Sequence, residues 1–123
     1  MQAQQKLSAG EADDARKLAQ QALDEKTGDP GRAWFILAQV ATINRDMQGA
    51  RNYFLRALDT THEPKVVAWS HIYLGRIFDL QEQREAAVDH YRAALTAAGA
   101  LPEVKAAAER GLQQPYEPPG RSQ

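Results

Sequence analysis

Residues 37–58 read LAQVATINRDMQGARNYFLRAL, and residues 74–95 read LGRIFDLQEQREAAVDHYRAAL. Under a shift of 37 residues, similar side chains coincide: Leu37 with Leu74, Ala38 with Gly75, Ala50 with Ala87, Phe54 with Tyr91, Ala57 with Ala94 and Leu58 with Leu95. A further shift of 35 residues places 50–59 on 15–24. A period of roughly 35 residues is typical of stacked helical repeats, in which each unit buries its apolar face against its neighbours.

The spacing of apolar residues around these stretches predicts helices and gives no convincing β-strand. Ala and Leu dominate the apolar residues, and both favour helix. The predicted helices cover residues 11–24, 30–44, 47–59, 64–80, 84–98 and 102–112, and residues 2–8 are predicted to end another. Connections of two to six residues between helices of this length indicate antiparallel hairpins.

Local signals place several helix ends. Asp29 followed by Pro30 is a start signal, because the carboxylate accepts from free backbone N–H groups and proline suits the first helical position. Asp46 is predicted to cap the helix 47–59 in the same way. Thr27-Gly28 is expected to close the helix 11–24, and Gly99 to end the helix 84–98 in the left-handed conformation.

The residues at the repeated positions resemble the tetratricopeptide repeat. The first full unit carries the pattern at Trp34, Leu37, Ala38, Ala50, Phe54 and Ala57, and the second at Leu74, Gly75, Phe78, Ala87, Tyr91 and Ala94. The stretch 73–78 is the most specific part of the match. Three features depart from the pattern: His71 takes the tryptophan position, Ala41 takes the aromatic position, and the proline that ends each unit is absent. Truncating Phe54 is expected to cost about 3–5 kcal/mol if the side chain is fully buried.

The resemblance implies an all-α fold, an antiparallel helix-hairpin array of the α-solenoid type. It contains about two and a half repeats and a C-terminal capping helix. The expected domain, 1–112, consists of a half repeat 1–28, a repeat 29–63, a repeat 64–100 and a capping helix 101–112. Residues 113–123, which contain three prolines, are expected to form a flexible tail.

The resemblance also implies a binding surface, because partners of this family usually lie in a concave groove lined by the first helix of each unit. Helical spacing places nine residues on that face: Arg32, Phe35, Gln39, Thr42, Trp69, Ile72, Tyr73, Arg76 and Asp79. One branch of the family grips C-terminal carboxylates with Lys and Asn, and only Arg76 suits that role. Phe35 and Ile72 favour an apolar or amphipathic peptide with a charged contact to Arg76 or Asp79.

Composition argues against several other classes of protein. The formal net charge is −1 without a basic block, whereas nucleic-acid affinity depends on cationic contacts to phosphates. No apolar run is long enough to span a bilayer, and the first residues lack the core of a signal peptide. There are no cysteines, which fits both cytoplasm and periplasm. Arg outnumbers Lys by 10 to 5, which is compatible with a GC-rich bacterial source.

Nothing in the sequence predicts catalysis, a cofactor or a metal site. The histidines at 62, 71 and 90 lack metal-binding spacing, and His71 is expected to be packed and hydrogen bonded. We therefore expect a non-catalytic protein–protein interaction scaffold that binds a peptide or a partner helix. The alternatives are an accessory or regulatory domain of a larger protein, such as an envelope or enzyme-associated one, and a self-association module. The helix 11–24 is the expected dimer edge, since its own partner helix is mostly missing.

Overall fold

The computed structural model describes residues 2–8, 10–98 and 101–117. Within these ranges the chain forms seven helices: α1 (Gln2–Ser8), α2 (Ala12–Glu25), α3 (Pro30–Ile43), α4 (Met47–Thr60), α5 (Pro64–Leu80), α6 (Arg84–Ala98) and α7 (Pro102–Gln113). The prediction of an all-α fold built from helix hairpins is confirmed. The chain divides into two compact units, Met1–Val66 and Val67–Gln123, and each has its own hydrophobic core.

The first unit packs α1 against α2, α2 against α3, and α3 against α4. Small side chains form much of its core, with Ala15, Ala19 and Ala33 completely buried. The aromatic ring of Phe54 is also completely buried, as the repeat pattern requires of this position. Its truncation therefore carries the full cost expected for a core phenylalanine, about 3–5 kcal/mol.

Aspartate caps begin two of the helices as predicted. The Asp29 carboxylate accepts from the Gly31 amide at 3.1 Å, and Pro30 takes the first turn of α3. The Asp46 carboxylate accepts from the Gly49 amide at 2.9 Å at the start of α4. These bonds satisfy donors that the first helical turn leaves unpaired.

The helix ends are less obvious from the sequence. Lys26, and not Gly28, is the left-handed residue that closes α2, although Gly28 also has a positive φ of 70°. Arg45 and Glu82 both have a φ of 60° and turn the chain inside the α3–α4 and α5–α6 hairpins. The predicted left-handed cap at Gly99 lies outside the described residues.

The core of the second unit is centred on Tyr91, which is completely buried. The core residues come from α5, α6 and α7: Ala68, Ile72, Ala87, Tyr91, Ala94, Val104, Ala107 and Ala108. The ring of Tyr91 lies between the backbones of Gly75 and Gly111, where a Cβ atom at either position would lie within 2.6 Å of it. The small residue at 75 thus makes room for an aromatic ring on the facing helix.

Candidate functional site

The α3 residues expected to face a partner differ in how far they are free to bind one. Arg32 is half-buried and forms an ion pair with Glu63, with Nη2 and Oε2 2.6 Å apart. Phe35 is only 8% exposed and packs edge-to-face on Phe54, with the ring centroids 5.7 Å apart. Both side chains therefore already have partners inside the first unit, Glu63 for Arg32 and Phe54 for Phe35.

The next two residues of this α3 set, Gln39 and Thr42, are half-buried. The Thr42 hydroxyl donates to the Ala38 carbonyl at 3.0 Å, a bond within the helix itself. The Gln39 side-chain oxygen is buried, and no group in the described part of the chain donates to it. The Gln39 oxygen is thus an unused acceptor that lies beneath the surface, where a docked ligand does not reach it.

On α5, Trp69, Tyr73 and Arg76 follow each other at intervals of four and three residues and share one face of the helix. All three are half-buried. The Trp69 and Tyr73 ring centroids lie 6.2 Å apart, and the Arg76 guanidinium lies 5.7 Å from the centre of the Tyr73 ring. Two aromatic rings and an arginine thus form a continuous row, which we call the α5 row.

The other two predicted residues of α5 lie deeper. Ile72 is completely buried in the core of the second unit. The Asp79 side chain is only 1% exposed. Neither side chain offers a surface comparable to that of the α5 row.

Asp79 is the centre of a buried polar network. Its carboxylate accepts from Arg84 Nη1 at 3.0 and 3.1 Å, from the Tyr91 hydroxyl at 2.8 Å and from the Tyr116 amide at 2.9 Å. Burial, together with the bond to Asp79, raises the pKa of the Tyr91 hydroxyl well above its usual value, so Tyr91 stays a donor. The network compensates for the removal of a carboxylate from water.

Arg84 extends this network to the end of α7. Its Nη2 donates to the carbonyl oxygens of Gly111 and Leu112 at 2.7 and 3.2 Å. The last carbonyls of a helix have no partner within the helix, and a cation there also suits the helix dipole. One arginine therefore fastens α5, α6 and α7 together at this end of the second unit.

Sequence reasoning missed Tyr116 as a site residue. Its ring lies 5.1 Å from the Arg76 guanidinium, and its amide donates to Asp79. The signal in the sequence was an aromatic residue flanked by Pro115 and Pro118, because prolines reduce the entropy lost when a segment is ordered. Beside this contact lies a cavity of about 580 Å³, whose lining includes Arg76, Tyr91, Arg110 and residues 114–117.

A second pair of polar side chains lies on α5 and α6. His71 and His90 bring their Nδ1 atoms to 3.0 Å, and the His90 ring stacks on Phe78 with an interplanar angle of 6°. Burial, and then the neighbouring His90, lower the pKa of His71 from 6.5 to about 4. His71 is thus packed and hydrogen bonded, as expected from the sequence.

Two kinds of feature are absent from the described ranges. No helix there has the length and apolar character that crossing a bilayer requires. In the same ranges, no three His, Cys, Asp or Glu side chains come together in a way that would hold a metal ion.

Comparison with known proteins identifies the family. A family model described as tetratricopeptide repeat matches residues 1–62, which is half of the chain and coincides closely with the first compact unit. No curated protein and no solved structure matches the chain. Repeats of this family generally mediate protein–protein interaction. Together with the all-helical structure, the match shows that this chain belongs to the tetratricopeptide repeat family.

Proposed function

We propose that the protein is a non-catalytic interaction scaffold that holds a peptide or a partner helix on the first helices of its repeats. The observation that carries the proposal is the α5 row. Trp, Tyr and Arg dominate the residues that contribute most to binding energy at protein interfaces. Trp69, Tyr73 and Arg76 are each half-buried, so they are held in place while keeping contact surface for a partner.

The remaining expected residues take supporting roles in this proposal. Ile72 and Asp79 fix α5 from beneath through the core and the polar network. In the first unit, the half-buried Arg32 offers a polar contact on α3, and the buried ring of Phe35 positions that helix. The ligand that suits the α5 row is an amphipathic peptide with aromatic or apolar side chains and an acidic group for Arg76.

The test compares the wild-type protein with the double variant Trp69→Ala/Arg76→Ala. A matched control, Leu55→Ala/Arg92→Ala, also removes one apolar side chain and one arginine, but from exposed positions on α4 and α6. Circular dichroism first shows that all three proteins are folded. Partners captured from native lysate are then purified, and their dissociation constants are measured by titration.

We expect the double variant on α5 to weaken binding by about tenfold or more, which corresponds to ~1.4 kcal/mol, and the control to leave it unchanged. Equal affinities for all three proteins would move the binding surface away from α5 and overturn the proposal.

Self-association is a second candidate, favoured by the edge of α2. Leu18, Ala22 and Leu23 pack against the core of the first unit but remain only half-buried there. Leu18 and Ala22 also line a cavity of about 360 Å³, whose other lining residues are mostly polar. Partial burial of this kind leaves an apolar edge for a second copy of the chain. Light scattering at high protein concentration tests self-association. A wild-type dimer that becomes monomeric in Leu18→Glu supports it, and a monomeric wild type rejects it.

A further inference from the structure

The segment that follows α7 lies against α5, the helix of the proposed binding surface. The chain becomes extended at Gln114, with φ −157° and ψ 154°, immediately before Pro115. A residue before proline favours this conformation, and proline fixes its own φ. Pro115 therefore restricts the backbone at residues 114 and 115 before the segment binds, which reduces the conformational entropy lost when it is ordered.

Its central residue, Tyr116, makes both a backbone and a side-chain contact with α5. The Tyr116 amide donates to the buried Asp79 carboxylate at 2.9 Å, and a hydrogen bond to a charged acceptor is among the stronger ones. The Tyr116 ring lies 5.1 Å from the Arg76 guanidinium, within the range of a cation–π interaction. A main-chain donor and an aromatic ring used together are the means by which grooves recognise extended peptides.

Arg76 contacts two aromatic rings, one from its own helix and one from the segment after α7. Tyr73 belongs to α5 itself, whereas Tyr116 belongs to the segment 114–117. The segment thus lengthens the α5 row by one ring and covers the arginine that a partner would need.

The contact is local and leaves the segment displaceable. Pro115 and Glu117, on either side of Tyr116, are exposed, whereas Tyr116 is half-buried. The segment also borders the cavity of about 580 Å³ that reaches Tyr91 and Gly111. Few interactions have to break for it to leave, since Arg84 and Tyr91 continue to satisfy the Asp79 carboxylate.

We propose that segment 114–117 is an internal ligand of the α5 row, and that the row takes a partner peptide of the same chemistry, an extended segment with an aromatic residue directly after proline. Such a partner places its amide on Asp79 and its ring on Arg76, and it binds by displacing Tyr116. The inference rests on the proposed function for the surface concerned and adds the class of ligand and its regulation. When an internal segment competes for the surface, a partner binds only the molecules in which the surface is free. Its apparent dissociation constant is the intrinsic one divided by the fraction of such molecules.

The experiment uses a synthetic peptide with the sequence of residues 113–119, Gln-Gln-Pro-Tyr-Glu-Pro-Pro, acetylated and amidated at its ends. The peptide is titrated into the 123-residue chain. NMR amide shifts are followed up to concentrations on the order of millimolar, the effective concentration of a tethered segment. Three proteins are titrated: the wild type, Tyr116→Ala and Tyr116→Phe. Tyr116→Phe is the matched control, because phenylalanine keeps both the aromatic ring and the backbone amide. A peptide with alanine in place of its tyrosine tests the role of the ring.

We expect the peptide to bind Tyr116→Ala at least about tenfold more tightly than it binds the wild type, and Tyr116→Phe to behave like the wild type. Adding Arg76→Ala to Tyr116→Ala should abolish binding, and so should the alanine peptide. The proposal is overturned if the peptide binds the wild type and Tyr116→Ala with equal affinity, or if it changes the NMR amide shifts of neither protein. Because the probe is the chain's own sequence, this failure is separate from a failure to find an external partner on the α5 row.

Discussion

A Cβ atom at Gly75 on α5 would lie 2.6 Å from Cε1 of Tyr91 on α6, so the glycine is what allows this ring into the core. Gly111 on α7 lies against the same ring, with a corresponding distance of 2.5 Å. Because Tyr91 also donates to Asp79, the two glycines position both the apolar core and the polar network of the second unit.

Gly75→Ala should therefore destabilise the protein by about 1–3 kcal/mol, the usual cost of overpacking a core. Helix propensity alone would give the opposite sign, because alanine is favoured over glycine inside a helix by about 1 kcal/mol. Urea denaturation measures the difference. A double-mutant cycle with Tyr91→Leu serves as the control, since a smaller side chain at 91 should reduce the penalty. A stabilised Gly75→Ala would show that Tyr91 moves aside at no cost.

The hairpins and their capping residues were predictable from the sequence because their signals are local. The spacing of alanines and aromatics follows helical periodicity, and Asp29 and Asp46 cap helices with bonds that span two or three residues. The contact between Gly75 and Tyr91 was harder to predict. Both residues belong to the repeat pattern, but which ring fills the space above the glycine depends on how α5 and α6 pack.

Asp79→Ala should destabilise the protein by about 3 kcal/mol, because it leaves Arg84 Nη1, the Tyr91 hydroxyl and the Tyr116 amide without their acceptor. Glu63→Ala is the matched control. Its ion pair with Arg32 is only half-buried, with side-chain exposures of 36% and 41%, and its loss should cost less than about 1 kcal/mol. Thermal and urea denaturation of the two variants give the comparison. Similar losses for both would show that burial adds nothing to the Asp79 network.

The candidate site was only partly accessible to sequence reasoning. Helical spacing put Trp69, Tyr73 and Arg76 on a shared face, which needs only the geometry of one helix. It could not show that Asp79 turns into a network made by α6, the end of α7 and Tyr116, since those segments meet only in the folded chain. The sequence-based grouping of nine residues as one binding face remains a prediction.

The protein should lose stability as the pH falls from 7 towards 5. Burial lowers the pKa of His71 from 6.5 to about 4 and also lowers that of His90, where the nearby Asp89 opposes the shift. The unfolded chain therefore binds more protons than the folded chain in this pH window. The free energy of unfolding is highest above about pH 6.5 and decreases as the pH falls towards 4. After allowing for solvent screening of these half-buried rings, the loss is roughly 1–2 kcal/mol.

Urea midpoints at pH 7 and pH 5 measure this effect. His71→Gln keeps a hydrogen-bonding side chain beside His90 but does not titrate, so the difference between the two midpoints should shrink. His62→Gln, which replaces a histidine at an exposed position, is the matched control. Identical pH dependence in all three proteins would assign the acid sensitivity to other groups.

Glu82→Gly and Arg45→Gly should each stabilise the protein. Both residues have a φ of 60° and turn the chain between paired helices. In each turn the next amide donates back to a carbonyl five residues earlier, Asp46 to Ala41 and Gln83 to Phe78, both at 2.8 Å. A side chain in the left-handed region costs about 1–2 kcal/mol, which glycine avoids at an entropic cost of about 0.5–1 kcal/mol. The expected net gain is about 0.5–1 kcal/mol for each variant.

Urea denaturation of the single variants and of Glu85→Gly checks this expectation. Glu85 lies in the first turn of α6, where glycine brings no relief of strain and should cost up to about 1 kcal/mol. Gly10 turns the chain between α1 and α2 with a φ of 81°, so glycine is already accepted at the equivalent place in the first hairpin. If Glu82→Gly lowered the stability as Glu85→Gly does, the side chain of Glu82 would have to make contacts that outweigh the strain of its backbone.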